Sequence, residues 1–424
     1  MMNDRLVYRP TATSSPRAAA TGGPRPSALA DRLLRLIWEE RTISRAELAR
    51  RTELSRSTVS ELVAFLLSTG LVSEAGVGAS SGGRRPINLD FRDDACRIVG
   101  LDVGATHLTV VVTDLRGGVL ETASHPFDVR HDPDGTRALA VELIGRCLAS
   151  RRAGRAPLLG IGLAVPSPVD PRHPERLSPL VLPAWEGRHG FELLERTFGA
   201  PLFLDNDANL GALAEQWWGA GRGVRDFAYL KVATGIGSGH VIDGAVRRGA
   251  TGVAGEIGHV AIDPRGEPCA CGNRGCLVTF VGAAALVRRT EQLLDQFPTS
   301  TLQRARQSDA LTIEAIEAAA IADDPLAVQV VSEAAGHLGI AIAGLLNLQN
   351  PAAVIIGGGL AQVGHRLLEP LREVVLRRTF VSALAASEIK HSELGPLGVA
   401  TGAATLVLEA ALADPALFPT IGAR

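Results

Sequence analysis

The sequence predicts a winged helix-turn-helix head followed by a larger α/β body. Three observations carry that reading: a run of short capped helices that ends in a glycine-rich loop, a succession of strands closed by glycine turns from Arg97 onward, and an uneven distribution of charge between the two parts. Hydrophobic residues make up 46% and charged residues 21% of the 424, which excludes a disordered or fibrous chain. The net charge is only −2, yet residues 1–90 hold 13 Lys and Arg against 9 Asp and Glu, so a basic head sits on an acidic body. That asymmetry suits a module that meets a polyanion.

The tail comes first. Residues 1–26 are rich in Pro, Ala, Arg, Ser and Gly, cannot bury enough surface to offset their ordering entropy, and read as disordered. From Ser27 the apolar residues Leu29, Leu33, Leu36 and Ile37 recur at helical spacing. Ser44 and Glu47 then form a capping box that opens a two-turn helix with Leu48 and Ala49 facing inward. After a turn at Thr52 to Leu54, Ser55 caps a third helix running to about Thr69, and Gly70 stands where a left-handed cap is wanted. Leu71 to Glu74 and Pro86 to Phe91 read as two strands flanking the wing loop AGVGASSGGRRP. A short helix, a tight turn and a longer helix present the start of the third helix to a major groove. Arg56, Ser57, Thr58 and Ser60 lie on its first turns, where arginine can bond guanine and hydroxyls reach bases or phosphates. Arg84 and Arg85 tip the wing, within reach of a minor groove or phosphates. The expected partner is double-stranded DNA. The head is assigned to residues 27–92.

The body opens with RIVGLDVGATHLTVVVTDLRGGVL, two strands around a Gly/Thr turn and a third after Arg116 to Gly118. A helix from about Thr136 to Arg151, a strand at Leu158 to Pro166, and a strand ending in PLFLDND before a helix at Ala208 to Gly219 continue the α/β pattern. The closing segment GPLGVATGAATLVLEAAL reads as a glycine-rich loop feeding a terminal helix. Glycine turns after strands let backbone N–H groups approach an anion. Three occur: DVGAT (Asp102 to Thr106), TGIGSG (Thr234 to Gly239) and IIGGGL (Ile355 to Leu360). Asp102, Gly104, Thr106, Thr234, Gly235 and Gly237 are the candidate phosphate contacts.

Two polar clusters remain. His259, Cys269, Cys271 and Cys276 place one imidazole and three thiols within 18 residues, the donor set of a closed structural zinc site, with Gly272 and Gly275 to bend the chain between them. An odd total of five cysteines argues against a disulfide framework and for a reducing compartment; Cys96 and Cys147 read as plain thiols. LDNDANLGALAE sets Asp205, Asn206, Asp207 and Asn209 at a strand-to-helix junction. Composition leaves two readings of it open: helix capping, or recognition of hydroxyl groups with one carboxylate serving as general base. The N-terminus has no apolar run of a secretory signal. The uncharged stretch around Gly339 to Pro351 falls short of the roughly 20 residues that span a bilayer. A cytoplasmic protein without a membrane partner is expected.

DVGAT, SPLVLPAWEG, LDNDANLGALAE, TGIGSG, GEIGH, CACGNRGC and IIGGGL together resemble the ROK family of sugar-responsive repressors and sugar kinases, from about Ala28 to Leu412. The winged module and its SGGRRP loop resemble the repressor branch. The resemblance implies a two-lobed actin-like ATPase (ribonuclease H-like) fold with a sugar cleft between lobes. The first lobe would be residues 96–204 plus about 398–424, and the second, with the zinc, 205–397. It also implies that Asn206, Asp207, Glu256 and His259 contact the sugar, that Asp207 matches the kinases' general base, and that His259 binds zinc through one ring nitrogen while facing the sugar with the other. Three departures stand out. Val278 replaces the family's glutamate two residues after the last cysteine, Gly104-Ala105-Thr106-His107 replaces Gly-Gly-Thr-Lys, and Pro166-Ser167-Pro168 replaces Pro-Gly-Pro. Phosphoryl transfer depends on positioning and electrostatics, so these changes weaken a kinase and make ATP an unexpected cofactor. The implied function is a repressor of carbohydrate genes that acts as a dimer or tetramer on a palindromic operator and answers to a sugar or sugar derivative. An ATP-dependent hexose or amino-sugar kinase with an appended head is the alternative, as is a regulator that has lost its sugar response.

Overall fold

The computed structural model describes residues 28–77, 87–308, 310–379, 387–419 and 421. The expected tail, the Ser27 cap and the wing tip with Arg84 and Arg85 lie outside them.

The head contains α1 (Ala28–Glu40), β1 (Thr42–Ser44), α2 (Arg45–Thr52), α3 (Arg56–Ser68), β2 (Val72–Val77) and β3 (Ile87–Phe91). Local chemistry sets its helix ends. The Ser44 hydroxyl accepts the Glu47 N–H at 3.2 Å and Ser55 accepts that of Thr58 at 3.1 Å, caps worth about 1 kcal/mol each. Only half of the expected capping box is visible, since the Glu47 carboxylate turns outward to Arg50 and Arg51. Gly70 is left-handed, with φ +76°. The wing sheet differs from the expected pair of strands: β1 joins it, and the order is β1-β3-β2, all antiparallel.

The body is two five-stranded sheets with one topology. The first contains β4 (Arg97–Val103), β5 (His107–Thr113), β6 (Val119–Pro126), β7 (Leu158–Val165) and β8 (Leu202–Asn206), in the order β6-β5-β4-β7-β8. Its helices are α4 (Pro133–Ala149) and α5 (Glu192–Phe198). After α6 (Asp207–Trp218), the second sheet repeats the arrangement with β9 (Phe227–Val232), β10 (Ile236–Ile242), β11 (Ala245–Arg247), β12 and β13, in the order β11-β10-β9-β12-β13. Here β12 is Ala353–Gly357 and β13 is Glu388–His391. In each sheet the first three strands are antiparallel and the last two join in parallel. DVGAT and TGIGSG therefore occupy equivalent hairpin turns, one between β4 and β5 and the other between β9 and β10. The second sheet is covered by α7 (Val278–Val281), α8 (Ala283–Leu293), α9 (Leu302–Gln307), α10 (Ile313–Ile321), α11 (Pro325–Gln349) and α12 (His365–Arg378).

Among the described residues, two helices, Pro325–Gln349 and the segment Gly395–Ala413, are long and apolar enough to cross a membrane by length and composition. That corrects the expectation drawn from Gly339 to Pro351. Both are core helices, with 61% and 72% of their most apolar windows buried. The last, α13 (Gly398–Ala413), also corrects the loop expected at GPLGVATG. Its glycine lies inside the helix because backbones meet there: a Cβ on Gly402 would collide with the Leu210 carbonyl of α6. On the sheet side, Gly100 of β4 and Gly162 of β7 face the carbonyls of Ala400 and Ala403 with no room for a methyl group.

One apolar cluster runs from the head (Leu33, Val59, Leu89) through Ile98, Leu115 and Leu210 to Ala403 and Leu408 of α13, so head and body share a core. Replacing Gly162 with Ala should cost about 1–3 kcal/mol through overpacking, read as a lower urea midpoint at unchanged slope.

Candidate functional site

The cleft is built where the two sheets and α6 meet. Asn206 ends β8 and caps α6: its side-chain oxygen accepts the N–H groups of Ala208 and Asn209, while its amide donates to the Ser167 carbonyl at 3.2 Å. Capping and site membership are thus compatible. Asp207 follows at the first turn of α6, and Glu256 and His259 approach from the loop after β11. Asn206, Asp207, Glu256 and His259 line one cavity of about 160 Å³ with Thr234, Gly235 and Gly237. Ala105, His107, Ser167 and Val278 complete much of the wall, so the departure at Val278 does face the cleft. Burial, helped by repulsion from Asp207, pushes the Glu256 carboxyl above its ordinary range.

The expected phosphate contacts divide. Thr234, Gly235 and Gly237 border the cavity. Asp102 is 2% exposed and Thr106 points to solvent, so those two do not form one anion cradle. A residue that the sequence reading passed over stands in the cavity wall: Lys231 of β9, whose ammonium lies 2.6 Å from Asp207 Oδ2. A clue was available, since only two of the 43 Lys and Arg residues are lysines. Asp205 turns away from the cavity and is held by Arg248 at 2.6 Å and Asn209 at 3.1 Å.

Behind the cleft, the ligand atoms of His259, Cys269, Cys271 and Cys276 all lie within 4.8 Å of one another. Cys269 Sγ is 3.6 Å from His259 Nδ1, and Cys271 Sγ is 3.6 Å from Cys276 Sγ. A zinc–sulfur distance of about 2.3 Å in a tetrahedron sets sulfurs about 3.8 Å apart, so the donors fit that ion in kind and spacing. Gly272 (φ +92°) and Gly275 (φ +65°) make the turns, and a Cβ on Gly275 would strike the Asp263 carbonyl. The Asn273 N–H, ahead of the neighbouring ligand groups, draws the Cys271 thiol down to about 7, while burial pushes Cys276 up to about 12. A divalent cation would reverse the second effect. The other imidazole nitrogen, Nε2, points back to Glu256 Oε2 at 4.0 Å. Cys96 and Cys147 are buried thiols.

In the head, Arg56, Ser57 and Ser60 are exposed at the start of α3 and Thr58 is half-buried. The hydroxyls have local partners: Ser57 and Thr58 each lie 2.8 Å from Ser55 Oγ, and Ser60 donates to the Arg56 carbonyl. Arg45, Arg50 and Arg51 are tied to Glu74, Glu47 and Glu40. Arg56 makes no ion pair among the described residues and is the better candidate for a base.

The head is fastened to the body by aromatic residues. Trp38 of α1 packs against Trp217 and Trp218 at the end of α6, with ring centroids 5.3 and 6.4 Å away. Its indole N–H donates to the Leu115 carbonyl at 3.0 Å, and the Arg116 guanidinium lies 4.6 Å from its ring.

A winged head fused to duplicated, cleft-bearing sheets defines a DNA-binding regulator with an actin-like kinase-fold body. The comparisons with known proteins agree. Residues 98–410 match the ROK family and residues 31–73 the winged helix-turn-helix DNA-binding family; the chain belongs to the ROK family. It is 33% identical over 389 residues to the xylose repressor of Caldicellulosiruptor bescii, covering 90% of this chain and 96% of that one. The crystal structure of a ROK family transcriptional regulator, a homolog of the E. coli MLC protein, superposes with a TM-score of 0.75 at 27% identity, over 92% of this chain and 96% of that one. A ROK family glucokinase from Streptomyces griseus, in complex with glucose and AMPPNP, gives 0.63 at 29% identity, over 73% of this chain and 98% of that one.

Proposed function

We propose that the chain represses genes of carbohydrate metabolism or uptake, and that a sugar or sugar derivative in the cleft changes its hold on a palindromic operator. One observation carries the reading: α6 begins in the cleft with Asp207, capped by Asn206, and ends at Trp217 and Trp218 against the head. Twelve helical residues make a rod of about 18 Å. Packed cores have discrete arrangements and do not deform smoothly, so a shift at the first turn of α6 must be met by repacking at its last. The ligand acts only through its preference for one arrangement over the other. Two heads on a palindrome about one helical turn apart require at least a dimer, and the DNA partner puts the protein in the cytoplasm.

Arg56 would read a base from the start of α3, with Ser57, Thr58 and Ser60 beside it at bases or phosphates, and Arg84 and Arg85 would reach from the wing. Asn206, Asp207, Glu256 and His259 would contact sugar hydroxyls. Zinc on His259 Nδ1, Cys269, Cys271 and Cys276 would be structural, one ion per chain, and would also fix the ring that presents Nε2 to the cleft.

Arg56→Ala should weaken operator binding by about 1–3 kcal/mol in a gel-shift titration; unchanged affinity would remove α3 from the groove. Trp38→Leu should cut the sugar-induced change in operator affinity about fivefold, a coupling loss of about 1 kcal/mol, because the joint between α6 and the head is emptied. A full response in that variant sinks the rod. Metal analysis should return one zinc per chain, and chelation should lower the melting temperature. Metal-free protein of unaltered stability contradicts the assignment.

A further inference from the structure

Lys231 projects from a strand whose other members, Phe227, Ala228, Tyr229, Leu230 and Val232, are all buried and largely apolar. Its ammonium lies 2.6 Å from Asp207 Oδ2. The second carboxylate near it is Asp102, which comes from β4 of the other sheet and whose Oδ1 is buried without a hydrogen-bond partner among the described residues. Burial alone would lower the pKa of the lysine, but Asp207 and then Asp102 outweigh it and the net shift is upward, so the group stays charged. Three elements that bound the cleft thus converge on one fixed positive charge.

Two of the three glycine turns are obstructed, while the one at Thr234 to Gly239, which borders the cavity, is open at Gly235. The imidazole of His107 folds over Gly104, where a Cβ would collide with it, and its Nε2 lies 3.5 Å from Asp102 Oδ2. At the third glycine turn the Glu317 carboxylate stands against Gly359, with Oε1 2.7 Å from where a Cβ would be. A nucleotide-dependent phosphoryl-transfer site needs bare glycine backbone for the phosphates and free carboxylates for their divalent cation. Here one turn is roofed by an imidazole, another has the Glu317 carboxyl group standing against it, and the Asp207 carboxylate already holds an ammonium.

We propose that Lys231 determines the specificity of the cleft: it engages the Asp207 carboxylate that a divalent cation would need and, with Asp207, reads adjacent hydroxyls of an uncharged sugar. The proposal rests on the effector reading above and narrows it to a neutral vicinal diol bound without nucleotide. Asp207 accepts one hydroxyl proton and the ammonium donates to the neighbouring oxygen. Held by Lys231, Asp207 is a fixed acceptor and does not serve as a base.

Titration calorimetry on the full chain tests this with D-xylose, D-glucose, N-acetylglucosamine and Mg–AMPPNP as probes. The wild type is expected to bind at least one of the sugars, with an affinity unchanged by 5 mM (roughly saturating for a nucleotide site) Mg–AMPPNP, which itself gives no binding heat. Lys231→Met should lose that sugar affinity about tenfold or more. Because this variant leaves two carboxylates uncompensated, the double variant Asp102→Asn, Lys231→Met keeps the net charge of the trio and should show the same loss. Sugar binding that survives in both variants, or Mg–AMPPNP binding to the wild type, overturns the role of Lys231 and leaves the effector reading standing. A wild type that binds none of the three sugars overturns both.

Discussion

One close approach sets the frame of the molecule: α13 lies directly on β4 and β7 because Gly100 and Gly162 offer no side chains to the carbonyls of Ala400 and Ala403. From its other flank, Gly402 brings α13 against Leu210 of α6, and Thr405 accepts the Trp218 indole N–H at 2.8 Å. The depth of α13 fixes α6, and α6 fixes both the cleft and the seat of the head. Nothing in this chain of contacts is strong in isolation. Its stiffness comes from the absence of side chains that could reorient and absorb a movement.

The features that were legible in the sequence are those whose causes are local. Ser44, Ser55 and Gly70 mark helix ends because a cap needs only its own turn. The candidate metal site was legible because three thiols, one imidazole and two bending glycines fall in one short stretch. The family motifs brought Asn206, Asp207, Glu256 and His259 to one cavity, where composition alone left the Asp/Asn cluster undecided.

What escaped depends on partners far away in the chain. Strand β1 has three residues, and only β3 gives it a reason to be extended. The glycines of GPLGVATG look like a loop until a second helix lies against them. Lys231 has no meaning without Asp102 and Asp207, which arrive from another sheet and from a helix start. DVGAT and TGIGSG look like separate phosphate loops, and only the duplicated strand order shows them to be the same hairpin turn used twice.

Of the four tryptophans, three (Trp38, Trp217 and Trp218) form the joint between head and body, and the fourth, Trp185, is buried against the first body sheet with its N–H on the Val129 carbonyl. Indole emission is sensitive to ring packing and to nearby cations, and the Arg116 guanidinium sits over one of the three rings. The protein therefore carries a native optical gauge at the place where its two halves meet, with a shielded internal reference, and needs no attached dye to report a change of packing there.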